Sequence, residues 1–435
     1  MKKLCAVSLF FTLLASALSA ESYISGSVGA AATIIKGTNV TGDDLRAGSF
    51  LGGSIELGGE DDNGLFGGTV SVDVTTVAVD PNALAWWRPI AQVRLQIGFI
   101  DDFAASDIVG WGFHGNDAED YVVSSEYYYA GGDLSQTTGF YEGTGWGFTG
   151  LALTLKPFYG LDVNIAFPYK LGNPFTNFAG DYVLPKASDV YLFGHFQVTY
   201  TVWNLGRFAV SYKSGGDGKL KLLDPDIDDL TNVTNQYGDY LLFTNASTIY
   251  ASFLMTAFEN FAVNAGFSFT LPVKGQDPNS RREIVYYQPM GAGLAFLLGS
   301  ELSGIKVRFA ARFAERALAS GFDVQKEPFR IGLGVLPYYN MGIITFYFNA
   351  GASYKGEDVI TDPNTGKVSK IERSSAIGWY VNPYITIRAA GATFFAGLQV
   401  ESDGLLHLNA VNREFNQYGS QIIDWGIPIG IQYSF

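Results

Sequence analysis

The chain has 435 residues, 47% hydrophobic and 15% aromatic, with 52 glycines, one cysteine and a formal net charge of −14. An acidic excess with no basic stripe excludes nucleic acid as a partner, because nothing is available to neutralise phosphates. A single cysteine excludes a disulfide framework and a cysteine metal site, and beyond the N-terminus no apolar run approaches the ~20 residues of a membrane-spanning helix.

Lys2 and Lys3, an apolar run from Leu4 to Leu14, and Ala15-Ser16-Ala17-Leu18-Ser19-Ala20 form a positive region, a short hydrophobic region and a small-residue cleavage site. Residues 1–20 therefore read as a secretory signal peptide cut before Glu21, leaving residues 21–435 as one exported domain. Cys5 lies near the start of that signal rather than after a lipidation box, so the mature chain carries no thiol. Losing Lys2 and Lys3 leaves 26 basic residues against 42 acidic ones, a net of −16.

Tyr23 to Ile35 and Arg46 to Gly58 are Gly-rich, β-prone runs separated by a polar stretch. Glu60-Asp61-Asp62-Asn63-Gly64 signals a tight turn into Leu65 to Thr76, where Val70, Val72 and Val74 alternate with Ser71, Asp73 and Thr75. Trp86-Trp87-Arg88-Pro89-Ile90-Ala91-Gln92 then leads into Val93, Leu95, Ile97 and Phe99. Leu155 to Gly160 leads in the same way into Leu161, Val163, Ile165 and Phe167. The pattern returns at Trp203-Asn204-Leu205-Gly206, Phe258-Glu259-Asn260, Leu302-Ser303-Gly304, Asn340-Met341-Gly342 and Ala389-Ala390-Gly391. Each marks a hairpin with a short connection, its strands alternating with period two.

Longer polar segments separate these hairpins, at roughly 101–145, 170–188, 214–239, 272–288, 315–327, 355–374 and 402–423. Eight short turns and nine longer connections predict an all-β chain, a transmembrane antiparallel β-barrel of about 18 strands. Losing the hairpin at Val77 to Asn82 would leave 16. Short turns at one end and long loops at the other is the asymmetry of barrels whose turns are periplasmic and whose loops are external. Aromatics near the short turns (Trp86, Trp87, Phe158, Tyr159, Trp203, Phe258, Tyr338, Tyr339) suit an interfacial girdle.

If the apolar parity faces lipid, the other parity lines a lumen. On Ile305 to Phe313 that set holds Lys306, Arg308 and Arg312, and nearby strands add Arg94, Lys213, Arg330 and Arg388. His195, Gln197, Thr199 and Thr201, then Asn264, Ser268 and Thr270, then Thr345, Asn349 and Ser353, extend the polar side. Such a lining needs water, and 16 to 18 strands enclose an aqueous channel. The wall Arg94, Lys306, Arg308, Arg312 and Arg330 is the candidate pore lining.

Catalytic signals are thin. His114, His195 and His407 lie far apart, with no His-Glu-x-x-His motif and no Gly-x-Ser-x-Gly elbow. Asp224 to Asp229 begins like a calcium loop but has Asp where Gly is needed at its sixth position and Asn235 at its twelfth. No enzyme activity, cofactor or metal is expected.

The last stretch, Trp425 to Phe435, puts Trp425, Ile427, Ile429, Ile431, Tyr433 and Phe435 on one parity and ends on Phe. Ile431, Tyr433 and the terminal Phe435 resemble the C-terminal assembly signal of outer-membrane β-barrel proteins, and the mature chain as a whole resembles barrels of the porin type. The resemblance implies localisation in the outer membrane with loops at the cell surface. It also implies delivery by periplasmic chaperones to the barrel-assembly machinery, contact with outer-membrane lipids, and passive diffusion of small hydrophilic solutes. A homotrimer is an assembly open to such a barrel. Pro428 departs from the pattern, since it cannot donate to the ladder.

Segment 101–145 has no Lys or Arg and carries Asp107, Asp117, Glu119, Asp120 and Glu126 among its acids. It stands where general porins have the external loop that folds inward. The resemblance thus implies a constriction with these acids on the loop and the Lys306, Arg308, Arg312 strand on the far wall. Two other functions stay open on the same fold: a surface adhesin or binding barrel, and a channel for hydrophobic ligands like the fatty-acid transporters.

Overall fold

The computed structural model describes residues 22–38, 49–75, 79–100, 148–168, 194–213, 220–222, 242–244, 247–271, 273–276, 283–286, 290–317, 324–355, 358–361, 368–373, 376–402 and 423–435. Eighteen strands of these residues form a closed antiparallel barrel. They are β1 (Ser22–Thr38), β2 (Ser49–Glu60), β3 (Phe66–Thr75), β4 (Val79–Ile90), β5 (Val93–Ile100) and β6 (Phe148–Phe158). Next come β7 (Leu161–Pro168), β8 (His195–Val202), β9 (Gly206–Lys213), β10 (Thr248–Phe258), β11 (Phe261–Thr270) and β12 (Met290–Gly299). The ring continues with β13 (Ser303–Ala317), β14 (Val324–Asn340), β15 (Ile344–Lys355) and β16 (Ala376–Ala389). β17 is built from Ala392–Gly397 and Gln399–Ser402, and β18 is Ile423–Ser434.

Each strand pairs with the next, and β18 returns to β1 with Ser434 opposite Ser27 and Asp424 opposite Thr38. Closure removes the open edge on which a sheet this wide would otherwise aggregate. The hairpin at Val77 to Asn82 is present, with Asp73 opposite Asp80 and Ser71 opposite Asn82. That places the strand number at 18 rather than 16.

The eight short turns of the sequence reading all occur, and several are tighter than their residues suggest. Only Tyr159 and Gly160 separate β6 from β7, and only Ala91 and Gln92 separate β4 from β5. At 61–65 the Asp61 carboxylate accepts the Phe66 N–H at 2.7 Å, and the Gly64 N–H donates to the Asp61 carbonyl at 2.8 Å. Gly64 sits at φ +68°, a conformation glycine adopts without a Cβ penalty. The Phe66 N–H, foremost among several backbone donors, holds the exposed Asp61 carboxyl below the usual carboxylate range.

Pro428 lies where both neighbouring strands break step. β1 bulges between Thr33, opposite Pro428, and Ile35, opposite Ile427. On the other side β17 is interrupted at Leu398, between pairs Ala396–Ile429 and Gln399–Gly426. A residue with no N–H is accommodated where the ladder is already irregular.

The long-loop end corrects the sequence reading in one respect. Residues 315–327, expected as a loop, are mostly strand, because β13 runs to Ala317 and β14 begins at Val324. Within 355–374 a hairpin of Asp358–Thr361 and Val368–Arg373 adds to β14 at Val324–Lys326. Strand pairing continues here past the length a bilayer requires. Charged residues adjacent in the sequence, such as Glu315 with Arg316 and Lys326 with Glu327, hide the period of two. Smaller hairpins also form at Leu220–Leu222 with Leu242–Thr244, and at Val273–Gln276 with Glu283–Tyr286.

Candidate pore

The register sorts the two faces of the wall. Across β8 to β11 the rows Phe196–Tyr212–Ile249–Phe269 and Tyr200–Phe208–Phe253–Ala265 point outward. The alternate rows, such as Gln197–Ser211–Tyr250, point inward. Burial follows parity in the reverse of a soluble protein. Outward Val210 and Phe196 are exposed, whereas inward Gln197, Ser211, Asn264, Asn349 and Asn382 are at most 3% exposed. Only a nonpolar solvent outside the barrel makes that arrangement stable.

Near the short turns the outward face carries aromatic rings. Tyr159 and Trp203 are the most exposed and lie 6.5 Å apart, and Phe66 stacks on Trp87 at 6.2 Å. Phe158, Phe258 and Tyr339 are exposed beside the same turns and complete the belt the sequence suggested, as an interfacial girdle requires. Trp86 and Tyr338 do not belong to it. Both stand on the inward parity, Trp86 beneath the Arg94 guanidinium at 5.0 Å and Tyr338 donating to the Ser300 carbonyl at 2.7 Å. Near a turn an aromatic on either parity reads alike in the sequence.

Inside, the described wall has two distinct sectors. Across β14 to β16 runs an aromatic rib in which Tyr347 stacks on Tyr384 at 4.6 Å with 11° between the rings, and Tyr338 lies 6.4 Å from Tyr347. Facing the short-turn end between β4 and β9 is a polar cavity of about 650 Å³. Arg88, Arg94, Lys156 and Arg207 line it together with Asp162 and the amides Asn164 and Gln197. Lys156 reaches Asp162 at 3.6 Å and Arg88 reaches Glu60 at 3.6 Å, both pairs partly solvated and hence weak. Asn164 donates to Gln197 Oε1 at 3.0 Å.

Arg94 belongs to this cluster and not to the strand of Lys306, which lies eight strands further around the ring. By register Lys306, Arg308 and Arg312 stand at alternate positions of β13, opposite Leu336, Gly334 and Arg330 of β14. Arg330 is in turn opposite Lys355 of β15. The structure thus brings Lys306, Arg308, Arg312 and Arg330 to one two-strand sector and sets Arg94 apart. The acids Asp107, Asp117, Glu119, Asp120 and Glu126, and the Asp224 to Asp229 run, lie outside the described residues.

Arg88, Lys156 and Arg207 are cationic wall residues that the sequence reading passed over. Arg88 and Lys156 sit beside Pro89 and Pro157 and look like turn residues. Parity alone identifies Arg207, one step from outward Phe208.

Ile431, Tyr433 and Phe435 all point outward from β18, and the Phe435 ring stacks on Tyr433 at 6.2 Å. The last residue also closes the ring: its N–H and carbonyl exchange two 2.9 Å hydrogen bonds with Gly26 of β1. The Phe435 ring covers Gly26, where a Cβ would stand 2.8 Å from Cζ.

The chain is thus a closed antiparallel barrel with an apolar, aromatic-girdled exterior and a polar, charged interior. No protein-family model and no curated protein sequence matches the chain. Among solved structures it is similar to Pseudomonas aeruginosa OpdL, at TM-score 0.51 and 9% identity over 96% of this chain and 99% of that one. It is similar also to Pseudomonas aeruginosa OpdQ, at TM-score 0.50 and 9% identity over 95% and 98%. For Pseudomonas aeruginosa OprD the TM-score is 0.50, with 9% identity over 95% of each chain. The likeness is one of fold.

Proposed function

We propose that this barrel is a porin-like channel of the outer membrane through which small hydrophilic solutes diffuse passively. The observation that carries the reading is the polar inner wall. Gln197 Nε2 and the hydroxyls of Thr199, Ser211, Ser252 and Thr386 are buried with no hydrogen-bond partner among the described residues. The charged side chains of Arg88, Lys156, Arg207 and Asp162 line an inner cavity of the same wall, and charges in a dry interior would be costly, so a lumen holding water is the arrangement that suits this lining. A polar wall also favours hydrophilic solutes over apolar ligands.

In this reading residues 1–20 direct export, and the Ile431, Tyr433, Phe435 face directs insertion by the assembly machinery. Segment 101–145 narrows the pore, setting its acids against Lys306, Arg308, Arg312 and Arg330, and the resulting transverse field governs selectivity. Osmotic swelling of liposomes containing the refolded barrel tests the channel. Swelling in small sugars that falls off with solute size is the predicted result. Liposomes that stay impermeable to every sugar, while the barrel is folded, would refute it.

A further inference from the structure

We propose that an apolar trough on the outer face of the wall, near its short-turn end, is a binding site for a phospholipid whose headgroup carries an ammonium group. An acyl chain lies in the trough and the ammonium meets the Asp61 carboxylate.

Shape is the first ground. The trough has a volume of about 1150 Å³ and extends from Ser22 of β1 to Phe167 of β7, on the outward parity of Ile97, Leu151 and Phe167. Its floor is the row Gly59–Gly68–Ala85, where three neighbouring strands carry nothing larger than a methyl group. The stacked rings of Phe66 and Trp87 form one bank, and Leu57, opposite Ile24, forms the other. A Cβ added at Gly68 would meet only the Leu84 carbonyl and Ala85 of the next strand, so no side chain covers this floor from outside. On a face that borders hydrocarbon, an empty trough forfeits dispersion contacts along its length, and a flexible acyl chain restores them.

Charge is the second and independent ground. Asp61 is the one residue with a formal charge in the lining, and it stands at the turn end beside Phe66. The Phe66 N–H and other turn amides fix its carboxylate and favour the ionised form. No cation pairs with it among the described residues, since Arg88 reaches Glu60 instead. Asp62, next in the turn, is exposed and adds charge of the same sign. An ammonium headgroup is attracted to this mouth, and a headgroup of net negative charge is repelled. The wall separates the trough from the lumen, so the site does not depend on conduction.

The test is native mass spectrometry of the refolded mature barrel, released from detergent micelles that contain phosphatidylethanolamine or, separately, phosphatidylglycerol with the same acyl chains. A retained lipid on the barrel is expected, with phosphatidylethanolamine favoured about twofold to fivefold, as suits an exposed ion pair. Asp61→Asn keeps an acceptor for the Phe66 N–H and should abolish that preference. Ala85→Leu fills the floor from the membrane side and should cut retention of both lipids about threefold or more, with the circular dichroism spectrum unchanged. Asp61→Asn lies in an exposed turn, so it keeps the test decisive if Ala85→Leu fails to fold. No retained lipid, equal retention of the two lipids by the parent, a preference that survives Asp61→Asn, or retention unchanged by Ala85→Leu would overturn the proposal. A barrel dimer in place of the lipid adduct, lost in Ala85→Leu, would assign the trough to a second copy and overturn it equally.

Discussion

Phe435 shows how much one residue contributes to a closed sheet. Its backbone makes the last two hydrogen bonds between the ends of the barrel, and its ring covers Gly26 and stacks on Tyr433. The two contributions separate by mutation. Phe435→Ala keeps the backbone pair and loses the ring contacts, so the stability of the refolded barrel should fall by only about 1 kcal/mol. Urea unfolding followed by tryptophan fluorescence measures this. If the ring is also the assembly signal, the amount inserted into the membranes of expressing cells should fall far more than that loss explains. Equal losses in both measurements would confine Phe435 to a packing role.

At the scale of elements, strand pairing explains which irregularities the barrel tolerates. Pro428 sits between a bulge in β1 and the break in β17, so Pro428→Val should shift the unfolding free energy by less than about 1 kcal/mol. Ile431, three residues on, pairs regularly with Ala30 on one side and Phe394 on the other. Ile431→Pro should therefore cost about 3 kcal/mol or more, by removing a ladder donor in a regular stretch. A comparable cost for both variants would show that the irregular ladder does not accommodate Pro428. The strands themselves were legible because alternation such as Val93, Leu95, Ile97, Phe99 has one physical cause, lipid on one face and water on the other. Their ends were not legible at 315–327, where charged residues follow one another in the sequence and the period disappears although pairing continues on both sides of 318–323. The candidate site was half legible for a related reason. Lys306, Arg308 and Arg312 follow one another on a single strand and can be read by parity. Arg88, Arg94, Lys156 and Arg207 come from four strands, and only the register brings them together.

For the molecule as a whole the central fact is inversion: apolar residues outside, polar ones within. The inversion predicts opposite tolerance on adjacent residues of β9. Val210→Arg places a charge on the outward face and should destabilise the barrel in lipid by about 2–4 kcal/mol. Ser211→Ala, one residue along and inward, removes a hydroxyl with no hydrogen-bond partner among the described residues and should cost less than about 1 kcal/mol. Reversible unfolding in phospholipid vesicles compares the two, and a Val210→Arg variant as stable as the parent would place that face outside the bilayer.

A channel requires a lumen that is continuous from one end of the barrel to the other. Single-channel conductance of the refolded mature protein in a planar bilayer, with the reversal potential under a salt gradient, tests this most directly. Discrete, ohmic openings are predicted, and the sign of the reversal potential shows whether the acids of 101–145 or the basic residues of the wall control the narrowest section. A correctly folded barrel that inserts and never conducts would contradict the channel and leave a binding role for the surface loops.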